Sequence, residues 1–495
     1  MASLKVGKGG IRLAGIMVQG TASSAGKSLM AAALCRIFVN DGLKVCPFKS
    51  QNMSLNSYVT GEGLEMGRAQ VLQAQAARIE PSAKMNPILL KPTSDRKCQV
   101  IINGKPHCNM EAVEYFEYKK QLKGFIQETY DALEKQYDIM VIEGAGSPAE
   151  INLKSEDIVN MGMAEMADAP VLLVGDIDKG GVFASIYGTV MLLEPHERAR
   201  IKGIIINKFR GDKSILQSGL DMMEERIGIP IVGVVPYMDV KVEEEDGATQ
   251  FNSVGEGQID ICVIKLPHIS NFTDFDAFKF DEDVNVRYIT SPEAIKNADM
   301  VIIPGSKNTI YDLRWLKAQG FEQVLKTYEG RLFGICGGYQ MMGRKLIDIE
   351  GWEMSPGEVE EGLGIFDAVT RFEGDKITLN VQGEALGRPI YGYEIHCGKT
   401  EGEGQIFATV TKRQGEEIRY HEGIIKEDRI FGTYIHGIFD AAPFREYILN
   451  GLRTEKGLES RESDDLQLKR EQELEKLAAI VRENLDMEKI YALVK

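Results

Sequence analysis

The stretch LAGIMVQGTASSAGKS, residues 13 to 28, joins an apolar run to a glycine-bounded loop that ends in lysine and serine. A short apolar run of this kind reads as a buried strand, and the LMAAALCRIF that follows reads as a helix. A loop between a strand and a helix N-terminus presents backbone N–H groups and positive partial charge to anionic oxygens, which is the chemistry of a phosphate cradle. In such a cradle Gly20, Thr21 and Gly26 form the loop, Lys27 reaches the terminal phosphates of ATP, and Ser28 ligates magnesium. Five residues separate Gly20 from Gly26, where the standard loop has four.

Similar apolar runs recur downstream with helical stretches between them: YDIMVIEGAG (137–146), APVLLVGDID (169–178), IKGIIINKF (201–209) and IPIVGVVP (229–236). Continuous apolar strands are buried on both faces, so the pattern predicts an α/β fold with a parallel sheet flanked by helices. Glu143 ends one such strand, where a carboxylate holds magnesium directly or through water, or caps the next segment. Asn207 ends another, where its amide either reads the adenine edge or serves as a plain turn residue.

The texture then changes. KVEEEDGATQFNSVGEGQ (241–258) is acidic and without periodicity, and reads as an exposed connection or a solvated hairpin. Apolar runs resume at IDICVIKLP (259–267), ADMVIIPGS (298–306) and RLFGICGGYQ (331–340), followed by a more mixed region ending at IFGTYIHGIFD (430–440). The expected organisation is a P-loop domain over 1–245, a second α/β domain over 255–452 and a helical extension over 453–495. In that extension LKREQELEKLAAIVRENL fits an amphipathic helix packed on the body.

RLFGICGGYQ sets one cysteine between an apolar strand and two glycines. Gly334, Gly337 and Gly338 let the chain turn sharply into a helix, which lifts Cys336 out of the sheet to a helix N-terminus. There the backbone N–H groups favour the thiolate and can hold a developing oxyanion. The turn is the cysteine counterpart of the nucleophile elbow of hydrolases.

Composition bounds the partners. Of 495 residues, 58 are Lys or Arg and 74 are Asp or Glu, and the net charge of −16 disfavours a nucleic-acid-binding surface. The seven cysteines are scattered, odd in number and without a CxxC pair, so neither a disulfide framework nor a structural zinc site is expected. No segment runs about 18 apolar residues, and the first twenty lack a signal-like apolar core, so no membrane association is expected. A cytoplasmic enzyme follows; the number of subunits has no signature in the sequence.

Taken together, GTASSAGKS with EGAG, the downstream GICGGYQ and YIHG, and KSQNMSLNSYVT, GRAQ, NPILLKP, GDIDKGGVFAS, NKFRGD, PGSKNT and GYEIH resemble the cobyric acid synthase family over nearly the whole chain. The resemblance implies an ATP-dependent amidoligase domain similar to dethiobiotin synthetase, followed by a class I glutamine amidotransferase domain of flavodoxin-like architecture. The chemistry requires both. A carboxylate does not react with ammonia at neutral pH, so ATP must first convert it to an acyl phosphate. Ammonia is mostly protonated in water, so the free base is cut locally from glutamine.

By the same resemblance the substrate is the corrinoid adenosylcobyrinic acid a,c-diamide, amidated at its b, d, e and g carboxylates. Cys336 is the nucleophile and His436 its base, with backbone N–H groups around Gly305 and Gly337 as the oxyanion hole. Lys49, Gln51, Asn52, Asn56, Asp176, Asp178 and Lys179 would line the acceptor and ATP cleft, although ordinary loop polarity explains each about as well. His396, in GYEIH, would stand at the domain interface near the corrinoid or serve as a structural hydrogen-bonder, and Cys397 beside it is a tempting second thiol. Typical class I glutaminases place a glutamate two residues after the histidine; here Gly437, Ile438, Phe439 and Asp440 follow His436, leaving the third triad member open. Two rivals remain, the related cobyrinic acid a,c-diamide synthases and, in a different class, a partitioning-type P-loop ATPase switch, which has no use for GICGGYQ or YIHG.

Overall fold

The computed structural model describes residues 15–92, 97–242 and 257–494; most of the expected connection at 241–258 lies outside the described residues. The chain forms two compact units. Among the described residues, the first comprises the chain up to Ser54, from Met66 to 242, and from Arg470 onward, and the second comprises Leu55–Glu65 and the chain from 257 to Lys469.

The first unit is built on six parallel strands: β1 (Ile16–Gly20), β2 (Val45–Phe48), β3 (Ile139–Glu143), β4 (Val171–Asp176), β5 (Ile201–Phe209) and β6 (Ile231–Pro236). Their order is β6-β5-β4-β1-β3-β2. Four of them carry the apolar runs read after the P-loop, and β1 carries the first. Strand β2, VCPF, contains a proline, which hides it from propensity. Helix α1 (Lys27–Asn40) leaves the loop after β1 and packs its Met30, Leu34, Ile37 and Phe38 against the sheet. A second, largely antiparallel sheet of Gln51–Met53, Ile88–Pro92, Lys97–Ile102 and Lys105–Glu111 also belongs to this unit and had no counterpart in the sequence reading.

The division departs from the expected one in two places. The tail from 453 is not a separate piece, because helix α4 (Leu466–Asn484) contributes Leu474, Leu477, Ala478 and Val481 to the α1 core of the first unit. Its apolar face has to be covered, and the sheet-packed α1 supplies the cover. The second departure is the short segment Leu55–Glu65, which belongs to the second unit although both its sequence neighbours belong to the first.

The second unit carries a ten-stranded sheet. Its parallel half is β8 (Val284–Ile289), β7 (Ile259–Ile264), β9 (Met300–Ile303), β10 (Arg331–Ile335) and β15 (Ile430–Thr433), in that order. The sheet continues antiparallel through β14 (Glu416–Lys426), β13 (Gln405–Arg413), β11 (Ile377–Ala385) and β12 (Arg388–His396), and ends at the two-residue β16 (Ile435–His436). The parallel half, apart from β8, carries the apolar runs that foretold a second α/β domain. The antiparallel half, half-exposed and alternating, is what the sequence showed only as a mixed region.

In the first unit, the tail is held by a guanidinium. Arg36 of α1 is fully buried, gives hydrogen bonds to Gln75 O and Ala76 O, and pairs with Glu471 at 2.7 Å and Glu475 at 2.9 Å on α4. Both carboxylates keep more than two-fifths of their side-chain surface in water, so losing the arginine strands two backbone carbonyls rather than a buried charge. Arg36→Ala is expected to lower the stability of this unit by about 2–3 kcal/mol. Glu471→Gln should cost well under half of that, and equilibrium urea unfolding of the two variants checks the order.

Candidate active sites

In the second unit, β10 ends at Ile335 and helix α3 (Gly337–Met342) begins directly after Cys336. Cys336 stands at φ 53° and ψ −110°, a conformation that L residues rarely adopt and that a strained elbow requires. Gly338 explains how so tight a turn fits: a Cβ there would lie 1.9 Å from Ile303 O at the end of β9. The sulfur is nearly buried and lies 3.7 Å from Ile395 O on β12.

His436 reaches the same place from β16, paired with Tyr393 of β12. It is wholly buried, and Cys336 is near enough to act on its ring electrostatically. Its Nδ1 lies 2.6 Å from Oδ2 of Asp274, which is itself only 2% exposed, and Gly437 N donates to the other carboxylate oxygen at 3.0 Å. Asp274 is therefore the third member that the missing glutamate left open. It sits in a 3-10 turn, Phe272–Phe280, between β7 and β8. Burial alone would depress the imidazole pKa, but the charges and hydrogen bonds of Asp274 and Cys336 outweigh it and raise the value to about 10. Both neighbours therefore favour the protonated ring.

Gly305 lies against this ring, since a Cβ on it would sit 3.0 Å from His436 Cε1, and Gly337 approaches Ser306 N equally closely. The two glycines expected at the oxyanion hole thus flank the cysteine and the histidine. His396 lies in the second unit, buried, stacked on Tyr434 at 3.7 Å between ring centroids, with Nδ1 bonded to Gly398 O, the contacts of the hydrogen-bonding reading. Burial pushes the Cys397 thiol up to about 11, which disfavours its thiolate.

In the first unit, Gly26 caps α1 at φ 102°, with the Asn207 amide so close that a Cβ would meet Nδ2 at 2.0 Å. Thr21 N is hydrogen-bonded to Val174 O of β4. Lys27 Nζ donates to Ala22 O and to Gly146 O in EGAG, at 2.9 and 3.0 Å. Ser28 Oγ donates to Glu143 Oε1 at 2.8 Å, and Lys49 Nζ reaches the same oxygen at 2.9 Å. The amides of Gln70 and Gln73, on helix α2 (Arg68–Ala76), fill the other side of the Glu143 carboxylate. Asn207 donates to Ala25 O, while its buried Oδ1 has no hydrogen-bond partner.

Of the proposed acceptor-cleft residues, Lys49 joins this cluster directly and Asn52 joins it through Gln70 at 2.9 Å. Gln51 instead accepts from Tyr115. Asp176 pairs with Lys208, whose Nζ also donates to Ser24 O in the loop, while Asp178 is exposed and pairs with Arg210; Lys179 is exposed. Asn56 lies in the second unit. Gln70 and Gln73 went unread individually, although GRAQ was noted; their signal is two glutamines three apart on a helix with no exposed face.

A phosphate cradle with a carboxylate beside it, joined in one chain to a Cys–His–Asp site behind a strand-to-helix elbow, defines a glutamine amidotransferase fused to a nucleotide-binding enzyme. Residues 16–249 match the CobQ/CobB/MinD/ParA nucleotide binding domain and residues 260–444 the CobB/CobQ-like glutamine amidotransferase domain. A cobyric acid synthase of Clostridium botulinum (strain Okra / Type B1) is 56% identical over 97% of this chain and 99% of its own. One from Clostridium acetobutylicum is 56% identical over 97% of this chain and 98% of its own. Among solved structures, a glutamine amidotransferase aligns with 39% of this chain and 98% of its own at 15% identity and a TM-score of 0.30. The chain belongs to the cobyric acid synthase family.

Asp274→Asn should lower glutamine hydrolysis by about 10²-fold or more, because the ring loses both its orientation and its charge partner. The raised pKa of His436 also fixes a sign. Stabilisation from the pair is complete below about 6.5 and is lost as pH rises through about 10. Unfolding measured across that range should therefore show a stability deficit of Asp274→Asn that is largest near pH 6 and shrinks towards pH 10.

Proposed function

We propose that this chain amidates the b, d, e and g carboxylates of adenosylcobyrinic acid a,c-diamide to give adenosylcobyric acid, using ATP and glutamine. The observation that carries the proposal is the Cys336–His436–Asp274 constellation in a chain that also holds the Lys27, Ser28 and Glu143 cluster. Similarity to cobyric acid synthases along nearly the full length supports the choice of substrate.

In the second unit, Cys336 passes its proton to His436 as Sγ attacks the side-chain carbonyl carbon of glutamine, and the oxyanion is held by N–H groups about Gly305 and Gly337. His436 passes its proton to the departing nitrogen as the C–N bond breaks, releasing ammonia and leaving a glutamyl thioester. Water, deprotonated by the same imidazole, then frees glutamate and restores the thiol. Asp274 touches no substrate in this sequence; it holds Nδ1 so that Nε2 does the transfer.

In the first unit, Gly20, Thr21 and Gly26 form the phosphate loop and Lys27 neutralises charge on the phosphoryl group as it passes to the acceptor carboxylate. The orphaned Oδ1 of Asn207 suits the amino group of adenine. Ser28 and Glu143 set a hydroxyl and a carboxylate oxygen 2.8 Å apart, a hard-donor pair that fits Mg²⁺. Magnesium, when bound there, neutralises the phosphates. Lys49, 2.9 Å from Glu143, would hold the acceptor carboxylate or the transferring phosphoryl. Ammonia displaces phosphate from the acyl phosphate to form the amide. No helix among the described residues is long and apolar enough to cross a membrane. We place the reaction in the cytoplasm, where its cosubstrates and free thiols are kept.

Lys27→Ala should abolish amide formation with glutamine or with ammonium, and near-normal synthesis by it would remove the loop from the mechanism. Cys336→Ala should lose glutamine-driven synthesis yet keep synthesis from high external ammonium. Mass spectrometry of the corrinoid checks both, each amide lowering the mass by about one unit. Consumption of an earlier corrinoid instead would favour the a,c-diamide synthases.

A further inference from the structure

The segment Leu55–Glu65 leaves the nucleotide-binding unit and belongs to the glutaminase unit. Asn56, Ser57 and Glu65 on it are at most 2% exposed, which loop polarity does not require. Their partners surround the His436 ring. Asn56 Oδ1 accepts from Phe272 N at 3.2 Å, and Ser57 N donates to Asn271 Oδ1 at 2.9 Å. The 271–272 link is thus held from both sides. Asn271, in the left-handed region at φ 52°, is thereby turned so that its Nδ2 lies 3.4 Å from His436 Nε2, and Asp274 follows three residues later. Ser57 O accepts from the hydroxyl of Tyr393, whose ring stacks on the imidazole at 5.3 Å and 16°. Val59 packs on Tyr393 and Ile395, and Ile395 O accepts from the Cys336 sulfur at 3.7 Å.

The far end of the segment is anchored as firmly. Glu65 accepts from Ser57 Oγ and from Lys376 Nζ, each at 2.7 Å, and Asn380 Nδ2 donates to Thr60 O at 2.7 Å. Such a set of bonds is more than a surface loop needs to stay in place.

The geometry points to Asn56 and Ser57 as positioning residues of the glutaminase: the strap Leu55–Glu65 orients Asn271, Asp274 and Tyr393 about His436. It acts through those residues and touches neither glutamine nor the sulfur. In sequence, the strap lies between the Lys49 and Arg68 segments of the first unit. Its positioning role rests on the second unit hydrolysing glutamine, which the wild-type protein tests on its own.

The experiment measures glutamine hydrolysis by the full chain against pH. Asn56→Ala should lower kcat about 10-fold, with KM for glutamine changed less than about threefold. Its alkaline limb should move at least about half a unit to lower pH, because a loosened Asp274 holds the imidazolium proton less well. Asn56→Asp, which keeps the acceptor for Phe272 N–H, should restore both. Tyr393→Phe, which keeps the ring but drops the bond to Ser57 O, should move the limb in the same direction and covers the case of an unfolded Asn56→Ala. An unmoved limb in these variants, an effect on KM alone, or failure of Asn56→Asp to rescue would overturn the proposal. A wild-type protein that leaves glutamine intact would overturn the glutaminase assignment and the strap with it.

Discussion

The second unit turns on a hydrogen bond between two buried groups, His436 Nδ1 and Asp274 Oδ2 at 2.6 Å. A buried imidazole without a partner would be neutral, and a buried carboxylate without one would be costly. Together they satisfy each other, and the second carboxylate oxygen takes Gly437 N so that the turn after the histidine is fixed as well. The parallel half of the sheet brings Cys336 to this pair at the end of β10, and the antiparallel half brings Tyr393 and Ile395 against its other faces.

The first unit solves a different electrostatic problem with the same economy of partners. Glu143 is buried and would be unfavourable as an ion, but Ser28, Lys49, Gln70 and Gln73 all donate to it. Four donors from three separate segments converge on one carboxylate at the end of β3, beside the loop that begins after β1. Such a cluster is preorganised for anionic ligands and a hard cation, which is what acyl phosphate chemistry needs.

Features written locally in the chain were legible in the sequence. The P-loop, the elbow at Cys336 and most strands of the two parallel sheets each occupy a few consecutive residues, and their glycines mark turns that a Cβ would block, as at Gly26 and Gly338. Features made by distant segments were not. Asp274 stands 162 positions before His436, and no spacing rule connects them; the only trace is a pair of aspartates set among phenylalanines in NFTDFDAF. Asn56 looked like its neighbours Gln51 and Asn52, and only burial against another part of the chain separates it from them. The strands from 377 to 426 alternate with exposed positions and lack the continuous apolar signal of the parallel set.

The central claim is that ammonia made at Cys336 becomes the amide nitrogen of a corrinoid activated by ATP in the same chain. The direct measurement supplies glutamine labelled with ¹⁵N at the side-chain amide, unlabelled ammonium in the medium, ATP, Mg²⁺ and adenosylcobyrinic acid a,c-diamide, and determines the isotope in the product amides. Label carried into the new amides is the expected result, little diluted by the external ammonium. Unlabelled amides, or an acceptor left without new amides while glutamine is consumed, would contradict the account.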